Sequence, residues 1–273
     1  MIITDNHMHI YRHLKLKALE KFKTAGGTHV LLVSLLSHHY DVHPKSGKDF
    51  LKIFNEHISL VRKANKIVRA YAVIGVHPAE ITVLGSRVGF EKAAEIMMEA
   101  LEIAGELVAK GEAIALKSGR PHYKVDSHVW RLSNEVMMHA FEVAKEVNCA
   151  VQLHTESFSV ERMKEIAEMA EKVGLKKEKV VKHFSPPRIK EFEEIGIFPS
   201  VIAGNENVYT AAMQGDRFVV ETDYIDDPER PGAVLGPKTV PLKIKELLRR
   251  GFSEDFVYKI CAENIEKIYG INL

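Results

Sequence analysis

His7 and His9 stand two residues apart in the opening segment Asp5-Asn6-His7-Met8-His9 of a 273-residue chain. Side chains alternate along an extended strand, so both imidazoles face one side. Two neutral imidazoles converging in this way can bind a divalent cation; a hydrogen-bonded histidine pair is the other reading of the same spacing. Further along, His154 closes the apolar run from Ala150 to Leu153, His183 follows Val180-Val181-Lys182, and Asp223 ends the segment that starts at Phe218. A carboxylate behind such a buried run is costly unless it is paired or metal-bound, which makes Asp223 a ligand or a cap. Each residue alone says little. Four histidines and an aspartate at the ends of hydrophobic runs together point to a metal centre.

The elements that must position these residues alternate from end to end. Short β-branched runs predict strands at Ile2–His9, Thr28–Leu35, Val68–His77, Ala113–Gly119, Ala150–Thr155, Val180–Phe184, Ile197–Val201 and Arg217–Asp223. Helical spacing predicts helices at Lys15–Thr24, Lys48–Asn65, Phe90–Lys110, Ser127–Glu146, Val160–Val173, Pro187–Glu194, Glu206–Met213, Lys238–Arg250 and Ser253–Tyr269, and Asp226–Pro241 reads as a long loop. Eight strands alternating with helices are what a closed parallel (β/α)8 TIM barrel requires. The site residues fall at the C-terminal strand ends, where such barrels carry their active sites. An open doubly wound sheet would need a Gly-rich nucleotide turn after the first strand, where the histidines stand instead. No composition shift or repeat marks a second domain, so residues 1–273 read as one.

Lys plus Arg number 38 and Asp plus Glu 37, a net charge of +1 that gives no electrostatic case for a nucleic-acid or membrane partner. The opening MIITDNHMHI has no basic segment followed by an apolar one, and no apolar run approaches about 18 residues. A cytoplasmic protein is the expectation. Cys149 and Cys261 are expected as reduced, buried thiols without metal-ligand spacing.

The ordered set His7-Met8-His9, Gly75-Val76-His77-Pro78, His154, His183-Phe184-Ser185 and Glu221-Thr222-Asp223, with Ala262-Glu263-Asn264 near the end, resembles the TatD-like hydrolases of the amidohydrolase superfamily. The resemblance implies a TIM barrel with one or two divalent ions that hydrolyses phosphoester, amide or lactone bonds. It also implies that His7, His9 and Asp223 hold one ion, and His154 and His183 the other. One position departs. The family places a bridging glutamate on the fourth strand, and Lys117 stands there. Alternation with Ala113 and Ala115 aims Lys117 at the ligands. An ammonium would repel a cation, whereas a neutral buried amine can take up carbon dioxide and become a bridging carbamate, as in phosphotriesterase-like and dihydroorotase-like branches of the superfamily. The alternative is an unmodified ammonium paired with Asp223.

Around this set, His77 is expected at the pocket rim. Arg120, His122 and Tyr123 are placed to hold an anionic group, and Glu156 and Glu221 to support ligand histidines from behind. Lys182 is expected to point away from His183, into the helix layer. The donor set fits zinc, with manganese or magnesium as alternatives, and Asp223 is placed to take a proton from the attacking water. Three functions compete: a phosphodiesterase acting on nucleic acid, a small-molecule amide or lactone hydrolase, and a non-catalytic metal-binding barrel. A histidinol-phosphatase-like barrel would carry a late Asp-x-His, and Tyr224-Ile225 follow Asp223 instead.

Overall fold

The computed structural model describes residues 1–10, 16–225 and 235–273. Eight parallel strands pair in sequence order: β1 (Thr4–Met8), β2 (His29–Val33), β3 (Arg69–Gly75), β4 (Ala115–Gly119), β5 (Ala150–His154), β6 (Val180–Ser185), β7 (Phe198–Ile202) and β8 (Val219–Glu221). The barrel closes where the Asp223 amide donates to the His7 carbonyl (3.0 Å) and Met8 bridges Tyr224. The fold is thus a (β/α)8 barrel. Each strand was expected within a few residues of where it lies.

Inward side chains of seven strands, among them Val33, Val73, Ala115, Val181 and Phe198, form one apolar cluster with Ile265, Ile268 and Tyr269. The terminal helix Asn264–Tyr269 therefore packs against the barrel interior from the end opposite the histidines. Outside the barrel, helices bury their spaced apolar residues against the strands: Ile53, Phe54, Ile58 and Val61 in Phe50–Ala64, and Ala93, Met97, Ala100 and Ala104 in Phe90–Ala109. Burial of this kind is worth about 25 cal/mol per Å² of apolar surface. Asp126, Ser159 and Ser253 cap their helices by accepting from Val129, Arg162 and Phe256 amides.

Some elements differ from expectation. The helix Glu80–Val88 was not anticipated, because Thr82, Val83 and Gly85 weaken its helical signal. The expected helix Ser253–Tyr269 is broken by a π turn at Lys259–Glu263. Of the expected loop Asp226–Pro241, residues 226–234 lie outside the described residues, and the helix Thr239–Arg249 takes its last part. Lys15 is also outside the described residues; the first helix runs Lys17–Ala25. Among the described residues no helix is long and apolar enough to cross a membrane.

Two one-residue irregularities matter for the site. In β1, Asp5 and Met8 pair with Val30 and Leu32; in β6, Lys182 and Ser185 pair with Pro199 and Val201. Each bulge falls at a candidate ligand, His7 or His183, as bulges beside active sites often do. Close strand approach here also demands glycine. Gly119 has φ +146°, and a Cβ on it would overlap the His154 carbonyl oxygen.

Candidate metal centre

Five of the six expected ligands meet in one buried cluster. His7 Nε2 lies 3.2 Å from His9 Nε2, 3.8 Å from Asp223 Oδ1 and 3.4 Å from Lys117 Nζ. Asp223 Oδ1 is also 3.6 Å from His9 Nε2 and 3.8 Å from His183 Nε2. The His7 and His183 rings stack at 3.8 Å, inclined by 16°. His7, Lys117 and His183 are essentially inaccessible to solvent.

Hydrogen bonds behind the rings decide the tautomers. His9 Nδ1 donates to the Val33 carbonyl (2.8 Å) and His7 Nδ1 to Gln152 Oε1 (2.6 Å). His183 Nδ1 donates to Glu221 Oε1 (2.7 Å), which also accepts the Phe184 amide. With the protons on Nδ1, the Nε2 lone pairs of His7 and His9 face each other, with Lys117 Nζ 3.4 Å from that of His7. That juxtaposition is repulsive unless a cation or a proton lies between them. Ligands at about 2.0–2.2 Å around a tetrahedral zinc are roughly 3.3 Å apart, close to the separations here. The residues therefore fit a divalent ion at His7, His9 and Asp223.

The charge states agree. Burial, reinforced by Lys117, holds His7 well below its usual pKa and lowers His9 to about 3. Burial and the neighbouring His7 hold His183 well below its own. Neutral imidazole is the form that ligates. Burial lowers Lys117 to about 7 against the pull of Asp223 and Glu221, and raises Asp223 to about 6 against Lys117 and Lys182.

His154 stands at the edge of this cluster. Its ring is 5.4 Å from that of His183 and 4.5 Å from that of His77, and its Nε2 is 2.8 Å from His122 Nδ1. The expected His154–His183 pair is thus adjacent, with His154 turned toward the pocket rim. His77 Nδ1 accepts the Ala79 amide (3.2 Å), which leaves its proton on Nε2 and makes it a donor rather than a ligand. Arg120 does not await an anion. Its guanidinium is fully buried, pairs with Glu156 and Glu165, donates to Asn134 and lies 4.5 Å over the Trp130 ring. Glu156 is accordingly Arg120's partner, not a histidine's. Glu221 does support His183, as expected. Tyr123 donates or accepts at Thr82 Oγ1 (2.7 Å) on the surface.

Lys182 corrects its expectation. Its backbone holds an outward position, opposite Leu153 and Pro199, but the long side chain turns back so that Nζ donates to the His183 carbonyl (2.6 Å). It walls a pocket of about 800 Å³ together with His122, His154, Phe158, Phe184 and Asp223. Burial lowers its pKa to about 8, opposed by Glu221 and Glu156. Sequence reasoning also missed Asn6, Gln152 and Ser200, polar residues inside the barrel beneath the histidines, and the place of Tyr269 among them.

The family model described as "TatD related DNase" matches residues 4–270. The chain belongs to the TatD family. The uncharacterized protein MJ1127 of Methanocaldococcus jannaschii is 40% identical over 279 residues, covering 99% of this chain and 96% of that one. Among solved structures, a TatD-like protein of Archaeoglobus fulgidus superposes with a TM-score of 0.65 at 18% identity, covering 98% of this TatD chain and all of its own. A mutant phosphotriesterase-like lactonase of Deinococcus radiodurans gives 0.63 at 14% identity, covering 98% and 95%. The barrel fold of this TatD-family chain is thus shared with a TatD-like protein and with a phosphotriesterase-like lactonase.

Proposed function

We propose that this TatD-family chain is a metal-dependent hydrolase that cleaves phosphodiesters, on strands or molecules whose reacting end fits the 800 Å³ pocket. The observation that carries the reading is the pair of facing Nε2 lone pairs on His7 and His9, 3.2 Å apart beside Asp223, inside a family described as DNases. His7, His9 and Asp223 would hold one divalent ion, zinc by its imidazole donors, and His183, His154 and Lys117 a second. When bound, such ions supply polarisation of the scissile phosphoryl oxygen and a water whose pKa falls toward about 7. The Asp223 carboxylate, through the oxygen not directed at the histidines, takes the proton of the attacking water and returns it to the leaving group. Lys182 and Arg188 give the pocket wall positive charge suited to a phosphate, and Phe158, Phe184 and Pro186 give it apolar surface for the rest of the substrate.

Lys117 serves this centre as a carbamate. Its neutral amine adds carbon dioxide: the N–C bond forms, one amine proton leaves to solvent, and the product is a carboxylate. A buried site that gathers two dications beside one aspartate needs this second anion. The position of Lys117, 3.4 Å from His7 Nε2, supports that role.

The test is hydrolysis of single-stranded DNA and of a simple nitrophenyl phosphodiester by zinc- or manganese-loaded protein. Activity should appear with metal, vanish with chelator, and fall at least a hundredfold in Asp223→Asn and His154→Ala. A second reading, a small-molecule lactone or amide hydrolase, is favoured by Lys117 standing where the TatD pattern has glutamate. Turnover of lactones with none of phosphodiesters would replace the first reading with the second. Inactivity on all of these, with no metal bound, would remove both.

A further inference from the structure

Beneath the candidate metal centre, seven side chains form one continuous buried hydrogen-bond chain. His7 Nδ1 donates to Gln152 Oε1 (2.6 Å). Gln152 Nε2 donates to the Tyr269 hydroxyl (2.8 Å) and to the Asn6 carbonyl (2.9 Å). Tyr269 Oη donates to Asn6 Oδ1 (2.7 Å), and Asn6 Nδ2 donates to Ser200 Oγ (2.9 Å). Ser200 Oγ donates to Glu221 Oε2, and Glu221 Oε1 accepts from His183 Nδ1 (2.7 Å). The chain begins and ends on the two histidines that stack against each other at 3.8 Å.

Both Gln152 amide protons have acceptors, and one of these, the Asn6 main-chain carbonyl, can only accept, so the Gln152 oxygen must face His7, and His7 must carry its proton on Nδ1. The Tyr269 hydroxyl holds the centre of the arrangement. It takes the other Gln152 amide proton and donates its own to Asn6. Asn6 then presents Nδ2 to Ser200, whose own proton goes to Glu221. Tyr269 comes from the last helical turn of the chain, packed into the barrel from the far end.

We infer that Gln152 is a positioning residue for the metal centre: held by the Asn6 carbonyl and the Tyr269 hydroxyl, its amide oxygen keeps the His7 proton on Nδ1 and turns His7 Nε2 toward the candidate metal site. The inference rests on the metal-centre reading for its purpose, while its structural content is independent of any bound ion. Partners of this kind change metal affinity by roughly 10–100-fold when they are removed from behind a ligand.

The experiment uses full-length protein with ¹⁵N-labelled histidine, stripped with chelator, and reads tautomers from long-range proton–nitrogen correlation spectra. In the wild type, His7 and His183 should both be Nδ1–H. In Gln152→Met, of similar volume and with no oxygen, His7 should become a mixture of tautomers while His183 stays Nδ1–H, and the zinc dissociation constant, measured by competition with a chromophoric chelator, should rise at least tenfold. Tyr269→Phe, which leaves the Asn6 carbonyl to orient Gln152, should keep His7 as Nδ1–H. Gln152→Leu stands in should Gln152→Met fail to fold. An Nε2–H tautomer at His7 in the wild type overturns the inference. So do Gln152 variants that fold, keep wild-type tautomers and bind zinc within twofold of wild type. Wild-type protein with the expected tautomers that binds no zinc would instead sink the metal-centre reading and leave the positioning chain standing.

Discussion

At the residue scale, the site turns on what faces His7. Its ring is stacked on His183, its Nε2 is opposed by that of His9, and Lys117 approaches within 3.4 Å. A permanent ammonium at Lys117 would compete with a metal ion for the same lone pairs, and a carbamate would join it. Lys117→Ala should therefore lose at least one zinc equivalent by emission analysis. Short carboxylic acids or bicarbonate should partly restore it, because they supply the missing anion. Lys117→Glu should retain metal. Full occupancy in Lys117→Ala would show that the lysine is no part of the centre. The candidate ligands stood out in the sequence because Lys117, His154, His183 and Asp223 lie at the ends of strand-like runs, places where an unexplained polar side chain is conspicuous. Gln152, Asn6 and Ser200 did not, since an uncharged polar residue inside a strand carries no such signal. Their meaning depends on contacts as far as 263 positions along the chain, as between Asn6 and Tyr269. The importance of Arg120 was legible and its pairing was not, because Glu156 and Glu165 reach it from a different part of the chain.

At the scale of elements, β6 places Lys182 outward as alternation requires, and the irregularity that follows it shapes the site. The bulge between Lys182 and Ser185 puts Phe184 at φ +55°, a left-handed conformation that a bulky side chain adopts only at a cost of about 1–2 kcal/mol. What the strain secures is the Phe184 amide, which donates 2.7 Å to Glu221 behind His183. The Phe184 ring itself is half exposed, at 51%, so little burial offsets the strain. Phe184→Gly should therefore raise stability by about 0.5–1 kcal/mol in denaturant titrations, the relief being partly cancelled by the greater freedom of glycine in the unfolded chain. A loss of more than about 1 kcal/mol would mean that the ring carries packing the strain argument leaves out. A strand's existence is written in its β-branched run. A bulge is set by pairing with its neighbours, and for that reason the eight strands were legible and the two bulges were not.

At the scale of the whole molecule, the barrel brings together both ends of the sequence. The first strand supplies His7 and the residue just after it His9, the loop after the last supplies Asp223, and the amide of Asp223 closes the barrel on the carbonyl of His7. The terminal helix then returns beneath them with Tyr269. Eight alternating strand–helix units implied this architecture from sequence alone, since a closed parallel sheet is the arrangement that buries every strand and gathers their C-terminal ends. The depth to which the last helix enters was not implied, because its apolar spacing suits packing on the outside of the barrel equally well. The central claim, a metal centre on His7, His9 and Asp223 with Lys117 as an anionic bridge to a second ion, is met most directly by diffraction from zinc-loaded crystals at the zinc absorption edge. The expected result is two anomalous peaks about 3.5–4 Å apart, one within bonding distance of His7 and His9 Nε2, with density for a carboxylated Lys117 between them. A map with no anomalous peak at these histidines, and a bare Lys117 side chain hydrogen-bonded to Asp223, would contradict it.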